Sequence, residues 1–190
     1  YHFHRRISLI AVALVVVHGR TREQGYKGLA EYDTVAAVKA ALRIPVVANG
    51  DIDSPQKALQ VLQHTGCDAL MIGRAAQGRP WIFREISHFL QHGTPAAAPA
   101  TREVRQWLLQ HLQDHYGLYG EHIGVRTARK HIGWAVRALP GGEAFRAVMN
   151  TLDDTASQVR AVATFFDELA ELHPQLPQVA ANDASAVLRA

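Results

Sequence analysis

Three short apolar runs, separated by segments with a helical pattern, most constrain the fold of this chain. The runs occupy residues 11–17, 44–48 and 69–72, and each leads into a polar loop that contains glycine. Unbroken apolar runs without alternation are typical of parallel strands that are buried on both faces. Ser54 followed by Pro55 marks the start of a helix between two of the runs. We therefore predict parallel β/α units whose strand ends meet at one rim.

Capping residues and prolines predict where the other elements begin. Asp33 is expected to cap a helix over about 34–43, because its side-chain oxygen can accept from the first backbone N–H groups. Pro80 is expected to begin a helix that runs to about Gln91. Residues 93–100 read GTPAAAPA, a composition typical of a linker, and we place a domain boundary there.

Beyond the linker the sequence predicts only helices. These are expected over 101–116, 121–139, 143–150 and 155–172, as a small all-α bundle. The last stretch lacks a helical period and is predicted to be disordered. The predicted organisation is an α/β domain over 1–92, the linker at 93–100, a helical domain over 101–172 and a disordered tail over 173–190.

The candidate binding residues follow the three apolar runs. A glycine directly after a strand lets a ligand approach the backbone, and an arginine can grip a phosphate with two donors. Gly73 and Arg74 therefore form a predicted phosphate site, and Asn49 and Asp51 offer hydrogen bonds to a ligand one β/α unit earlier. In β/α barrels the active site is built from these loops, and phosphate often binds after the last two strands. A simple turn at 49–51 and a core role for His18 are the structural alternatives.

The net charge of +3 and the pI near 9.2 come from one segment. Residues 102–137 contain six Lys/Arg, three Asp/Glu and four histidines at positions 111, 115, 122 and 131. A locally basic helical region suggests a polyanionic partner, although charge alone favours a solvated helix face. Arg126, Arg129 and Lys130 share one face by their spacing.

The single cysteine, Cys67, excludes a disulfide framework and a cysteine-rich zinc site, and no metal site is predicted. Cysteine usage makes the cytoplasm the expected location. Cys67 precedes its strand, so it is expected at the amino end, opposite the candidate site, as a buried small residue. The apolar run at 7–17 is too short to span a bilayer and lacks a cleavage site, and residues 1–10 receive no assignment.

Several motifs together resemble one family. HGRTREQGY, IPVVANGDI and DALMIGRAAQGRPWIF resemble the last three β/α units of bacterial tRNA-dihydrouridine synthases of the B type. ARKHIGWAVRALPG, at 128–141, resembles the family's C-terminal helical domain, and the resemblance covers roughly residues 11–170. It implies a partial TIM-type β/α barrel that uses FMN and NADPH to reduce uridine to 5,6-dihydrouridine in tRNA.

The resemblance also assigns roles to residues. It implies FMN contacts from His18, Asn49, Gly50, Asp51, Gly73 and Arg74, and tRNA contacts from Arg126, Arg129, Lys130 and His131. Arg20 is assigned to either the flavin or the RNA. A complete barrel needs about 250 residues, so the chain is expected to be a C-terminal portion that lacks the family's proton-donor cysteine. No catalytic residue is therefore predicted, and the chain alone is expected to be inactive.

Two other functions remain open at this point. A phosphosugar-binding barrel enzyme, an isomerase or lyase, would explain the NGD and Gly-Arg motifs but not the basic helical segment. A non-catalytic tRNA-binding remnant would explain the missing cysteine.

Overall fold

The computed structural model describes residues 12–177, which form two compact units. The first unit contains the described residues up to Ala76 together with Ile82–Ala96. The second contains Gln77–Trp81 and the described residues from Ala97 onward. The unassigned residues 1–10 and the part of the predicted tail over 178–190 lie outside the described residues.

The first unit is built on a parallel sheet of three strands. These are β1 (Val15–His18), β2 (Val46–Asn49) and β3 (Ala69–Met71), in that order across the sheet. Both pairs are parallel, with Val15 opposite Val46 and Val47 opposite Ala69. The prediction of three adjacent parallel strands is confirmed.

The prediction that every strand is buried on both faces is wrong for β1 and β3. Val46 and Ala48 of β2 are fully buried, but Val16 of β1 is 41% exposed and Met71 of β3 is 45% exposed. β1 and β3 each have one neighbouring strand and therefore form the edges of an open sheet. These two edge strands therefore carry more apolar side chains than the described residues bury.

Helices α1 (Asp33–Ala41), α2 (Pro55–Thr65) and α3 (Ile82–His92) complete the first unit, with a 3₁₀ turn at Arg74–Ala76. The helix α2 starts as predicted, because the Ser54 hydroxyl accepts from the Lys57 N–H at 3.2 Å and Pro55 takes the first position.

Two predicted helix starts are wrong. Asp33 is the first residue of α1 rather than its cap, and its carboxylate pairs with His64 at 2.7 Å. Glu31 accepts from the Thr34 N–H instead, at 3.0 Å, because the helix begins one residue earlier than expected. Pro80 lies in the turn before α3, which begins at Ile82.

The core of this unit lies between the sheet and its helices. Its buried residues are Val35, Val46, Ala48, Ile52, Ala58, Val61, Cys67, Ile82 and Ile86. Cys67 is buried as predicted. Next to it, the Asp68 carboxylate accepts from the Val46 N–H at 2.7 Å, and the Asp68 N–H donates to the Val46 carbonyl at 2.9 Å. These bonds tie the amino ends of β2 and β3 together.

The second unit contains α4 (Thr101–Val136), α5 (Gly142–Met149) and α6 (Thr155–Leu172). Gly120 interrupts α4 with φ 70° and ψ 175°, near the predicted gap between 116 and 121. A continuous helix would separate residues 111 and 131 by about 30 Å. Instead, the His111 and His131 rings have centroids 5.0 Å apart, so the two halves of α4 fold back on each other at Gly120.

The core of the second unit lies between the halves of α4 and the later helices. Its buried residues are Val104, Leu108, Leu112, Ala128, Ile132, Val136, Met149, Val162, Phe166, Leu169 and Leu176. Leu176 is only 5% exposed, and the Thr101 N–H donates to the Pro174 carbonyl at 2.9 Å. The predicted disorder is therefore wrong for residues 173–177. Among residues 12–177, no helix has both the length and the hydropathy that a bilayer crossing requires.

Candidate functional site

A cleft of about 410 Å³ opens at the carboxyl ends of the three strands. It brings together all six residues predicted to contact a flavin, namely His18, Asn49, Gly50, Asp51, Gly73 and Arg74. Arg20 lines it as well. Because parallel strands end at the same edge of the sheet, loops that are far apart in sequence converge here.

Asp51 is the centre of the polar network in this cleft. Its Oδ2 atom accepts from the Arg20 guanidinium and, at 2.8 Å, from the Ala30 N–H. Its Oδ1 atom accepts from Arg74 Nη2 at 3.0 Å. Both carboxylate oxygens therefore position arginines, and the contact between Asp51 and FMN stays a prediction.

The network leaves one net positive charge, since two guanidinium groups surround one carboxylate. Burial raises the pKa of the Asp51 carboxyl. The hydrogen bonds from Arg20 and the Ala30 N–H, together with the charges of Arg20 and Arg74, outweigh burial and leave that pKa below its usual range. Asp51 therefore stays ionised at neutral pH, and the cleft keeps its positive excess.

Arg20 is a structural part of the cleft, and its contact with the flavin or the RNA stays a prediction. Its side chain is 3% exposed, with Nε 3.2 Å from the Lys27 carbonyl oxygen and Nη2 2.8 Å from the Gly28 carbonyl oxygen. Its Nη1 atom is buried without a hydrogen-bond partner among the described residues. Such an atom is a donor that a ligand in the cleft can satisfy.

The loop after β2 is held by backbone and side-chain contacts. Gly50 has φ 123°, and a Cβ atom there would lie 2.9 Å from the Ala30 Cβ, so only glycine fits. The Asn49 amide donates to the Met71 carbonyl at 2.7 Å and joins β2 to β3. The Tyr32 hydroxyl donates to the Gly50 carbonyl at 2.6 Å. Burial, with the nearby carboxylates, raises the pKa of Tyr32 to about 12, so this donor keeps its proton.

Gly73 and Arg74 form the open side of the cleft. A Cβ atom at Gly73 would meet no protein atom within 4 Å, so the space beside it is free for a ligand. The Arg74 guanidinium lies 4.8 Å from the centre of the Tyr26 ring and is 31% exposed. It therefore keeps donors that Asp51 does not use.

Sequence reasoning missed Tyr26, Tyr32 and Lys57 as lining residues of the cleft. The Lys57 ammonium lies 4.9 Å from the centre of the Tyr32 ring. Lys57 lies in the first turn of α2, just after the NGD motif. Its position so close to that motif could have identified it as a lining residue from the sequence.

The predicted RNA-binding residues divide into two pairs. Arg126 and Lys130 are exposed on one face of α4. Arg129 instead donates to the Leu152 carbonyl at 3.1 Å and to Asp153 at 2.9 Å. It therefore braces the chain between α5 and α6, and its contact with tRNA stays a prediction.

His131 packs against other rings and adds no charge to this face. Burial, followed by the charges of His111, His115 and Lys130, lowers the pKa of His131 to about 4. The ring is therefore neutral at physiological pH, and the contact between His131 and tRNA stays a prediction. The ring of Trp134 contacts His131, Tyr116 packs against the core of this unit, and Trp107 stacks on Trp81.

Comparison with known proteins identifies the family. The family model described as Dihydrouridine synthase (Dus) matches residues 2–170. A protein named tRNA-dihydrouridine synthase B from Pseudomonas aeruginosa is 55% identical over 157 residues, which cover 83% of this chain and 47% of that protein.

Two further relatives carry the same name. The Shewanella oneidensis protein is 56% identical over 160 residues, and the Vibrio cholerae protein is 50% identical over 159 residues. Each alignment covers 84% of this chain and 49% of the relative. The chain thus spans about half the length of the curated relatives it matches. The match to the family model covers most of the chain, and the resemblance in its motifs is confirmed. The chain belongs to the dihydrouridine synthase (Dus) family.

Proposed function

We propose that the protein containing these residues reduces uridine to 5,6-dihydrouridine in tRNA, with FMN as cofactor and NADPH as reductant. The observation that carries this proposal is the positively charged cleft around Asp51, at the carboxyl ends of three parallel strands in a chain of this family. The same cleft could receive a phosphosugar, but the family match favours the flavin.

The cleft residues fit the phosphate end of FMN. Arg74 has free donors at the open side, and the space beside Gly73 admits an anion. Arg20 adds a buried donor without a partner among the described residues. Arg74 and the backbone at Gly73 would hold the phosphate, and the loop at Asn49–Gly50 would lie against the rest of the cofactor. FMN supplies hydride-transfer chemistry when it is bound.

The chain's own residues prepare the cleft for this ligand. Asp51 orients both arginines, so a binding anion does not have to order two long side chains. The loop after β2 is held by two hydrogen bonds. The Tyr32 hydroxyl donates to the Gly50 carbonyl, and the Ala30 N–H donates to the Asp51 carboxylate. His18, exposed at the end of β1, would contact the ligand from the opposite side of β2 from Arg74. Cys67 is buried next to Asp68, at the amino ends of the strands, and is not proposed as a proton donor.

The helical unit is proposed as the tRNA-binding domain, a small bundle joined to a partial β/α barrel by the linker at 93–100. Arg126 and Lys130 are the residues proposed to contact RNA phosphates, because both are exposed and one helical turn apart. A protein that modifies tRNA in this way would act in the cytoplasm. The target uridine has to leave its stack to reach the cleft.

The direct test is dihydrouridine formation. The complete gene product is incubated with FMN, NADPH and tRNA isolated from a strain that lacks dihydrouridine, and the nucleosides are analysed by mass spectrometry. We expect dihydrouridine to appear only when NADPH is present. Flavin binding without any dihydrouridine would contradict the proposed activity, and turnover of a phosphosugar instead would support the isomerase or lyase alternative. The 190 residues alone are expected to be inactive.

A further inference from the structure

A cluster of three histidines lies in the second unit, and none of the three lines the cleft of the first unit. His111, His115 and His131 each offer a ring nitrogen, and these three atoms all lie within 4.8 Å of one another. His111 and His115 are one turn apart on the first half of α4, and His131 comes from the second half. The centroid of the His131 ring lies 5.0 Å from that of His111 and 5.2 Å from that of His115.

A hydrogen bond indicates which nitrogen of His115 is free. The Thr127 hydroxyl has one proton, and it donates that proton to the Ile123 carbonyl at 2.8 Å. His115 Nε2 lies 2.7 Å from the same hydroxyl oxygen, so it is the His115 N–H that donates. The other nitrogen, Nδ1, then carries the lone pair that a metal ion needs. Orientation of a histidine by a hydrogen bond on its second nitrogen is a common feature of metal sites.

We propose that His111, His115 and His131 bind a divalent transition-metal ion, for which Zn²⁺ is the first probe. Three imidazole nitrogens suit zinc, nickel, cobalt or copper, and do not suit magnesium or calcium, which require oxygen ligands. Tetrahedral nitrogen ligands at about 2.0–2.1 Å from zinc lie about 3.3 Å apart. The three nitrogens, which lie within 4.8 Å of one another, would close to that spacing when the ion binds. His111 is exposed, so the ion can enter and keep water as its fourth ligand.

The bound ion would join the two halves of α4 across the reversal at Gly120. Its effect is therefore on the second unit, and the proposal does not depend on flavin binding or on uridine reduction.

The test uses the complete gene product with any histidine tag removed. Zn²⁺ binding is measured by equilibrium dialysis, and thermal unfolding is followed with and without Zn²⁺. Visible absorption after Co²⁺ addition reports the ligand geometry. His111→Gln is the main variant, because His111 is exposed and its replacement leaves the core intact. His122→Gln is the matched control, since His122 is exposed on the same helix and is not in the cluster.

We expect one ion per chain and a rise in melting temperature with Zn²⁺. His111→Gln loses one of the three ligands, so it should bind Zn²⁺ at least roughly tenfold more weakly and show no rise in melting temperature. Replacing a residue that only hydrogen-bonds to a ligand already weakens metal binding by about tenfold or more. His122→Gln should match the wild type. No binding by the wild type, or equal binding by wild type and His111→Gln, would overturn the proposal. An equal loss in His122→Gln would do so as well.

Discussion

Replacing Asp51 with asparagine isolates the charge at the centre of the cleft. Asp51 has φ 44°, a backbone conformation that asparagine tolerates better than most residues. Asparagine also keeps an oxygen that can accept from the Ala30 N–H. With that oxygen in the place of Oδ2, the substitution removes the negative charge between Arg20 and Arg74 while it preserves the backbone and the hydrogen bonds from Arg20 and the Ala30 N–H.

The expected loss of stability follows from the burial of the three groups. Removing one partner of a buried ion pair costs about 3–5 kcal/mol, because the other charge stays buried without compensation. Arg20 is 3% exposed, but Asp51 and Arg74 are 21% and 31% exposed. Since water reaches two of the three groups, we expect a loss near the lower limit, about 3 kcal/mol in the free energy of unfolding.

The pH dependence identifies the charge as the cause. The folded-state pKa of Asp51 is lowered, so its ionised form stabilises the fold above the unfolded-state value of about 3.9. That contribution is lost as the pH falls through the folded-state pKa. The difference between wild type and Asp51→Asn should therefore be complete at pH 7 and shrink in acid, where the protonated carboxyl resembles the amide.

Urea denaturation followed by circular dichroism measures both quantities in the complete gene product. Asp167→Asn is the matched control, because Asp167 is 54% exposed and pairs with Arg105 at the surface, and exposed pairs contribute little. A loss that stays constant between pH 7 and strong acid would refute the charge-based reasoning. So would an Asp51→Asn protein as stable as the wild type.

Three further predictions concern RNA binding, the stability that Arg129 contributes, and assembly. Arg126→Ala with Lys130→Ala should weaken tRNA binding and reduce the slope of log affinity against log salt by about two, because each lost phosphate contact accounts for about one. Arg160→Ala, another exposed arginine of the same unit, should leave that slope unchanged, and equal slopes in all three proteins would favour a solvated helix face. Arg129→Ala should instead lower the free energy of unfolding by about 1.5 kcal/mol through its lost hydrogen bonds, measured by urea denaturation. The 190-residue chain should self-associate through its open strand edges, and a monomer on size-exclusion chromatography would contradict this.

Features that depend on local sequence were predictable. The apolar runs led to three parallel strands because each one is short, bounded by turns and followed by a capped helix. Ser54 and Pro55 predicted the start of α2 because both act within one turn. The prediction that Asp33 caps α1 failed because Glu31 competes for the same N–H groups. The sequence alone does not show which of two acceptors so close together will cap the helix.

Features that depend on distant contacts were not predictable. The residues of the cleft were identified from their places after the strands, but the role of Asp51 was not. Its partner Arg20 lies 31 positions earlier, and nothing in either motif indicates that the two side chains pair. The histidine cluster was likewise hidden, since His131 meets His111 only because the chain reverses at Gly120.

The affinity for FMN shows most directly whether the cleft holds the cofactor phosphate. Arg74→Ala and Arg43→Ala each remove one arginine from the first unit, at opposite ends of the strands. Flavin fluorescence is titrated with the complete gene product and with both variants. We expect Arg74→Ala to weaken FMN binding by about 1.5–3 kcal/mol, the range for a charged hydrogen bond and roughly 10- to 150-fold in affinity. Arg43→Ala should bind like the wild type. Unchanged binding by Arg74→Ala, or an equal loss in both variants, would contradict the assignment of this cleft to the cofactor phosphate.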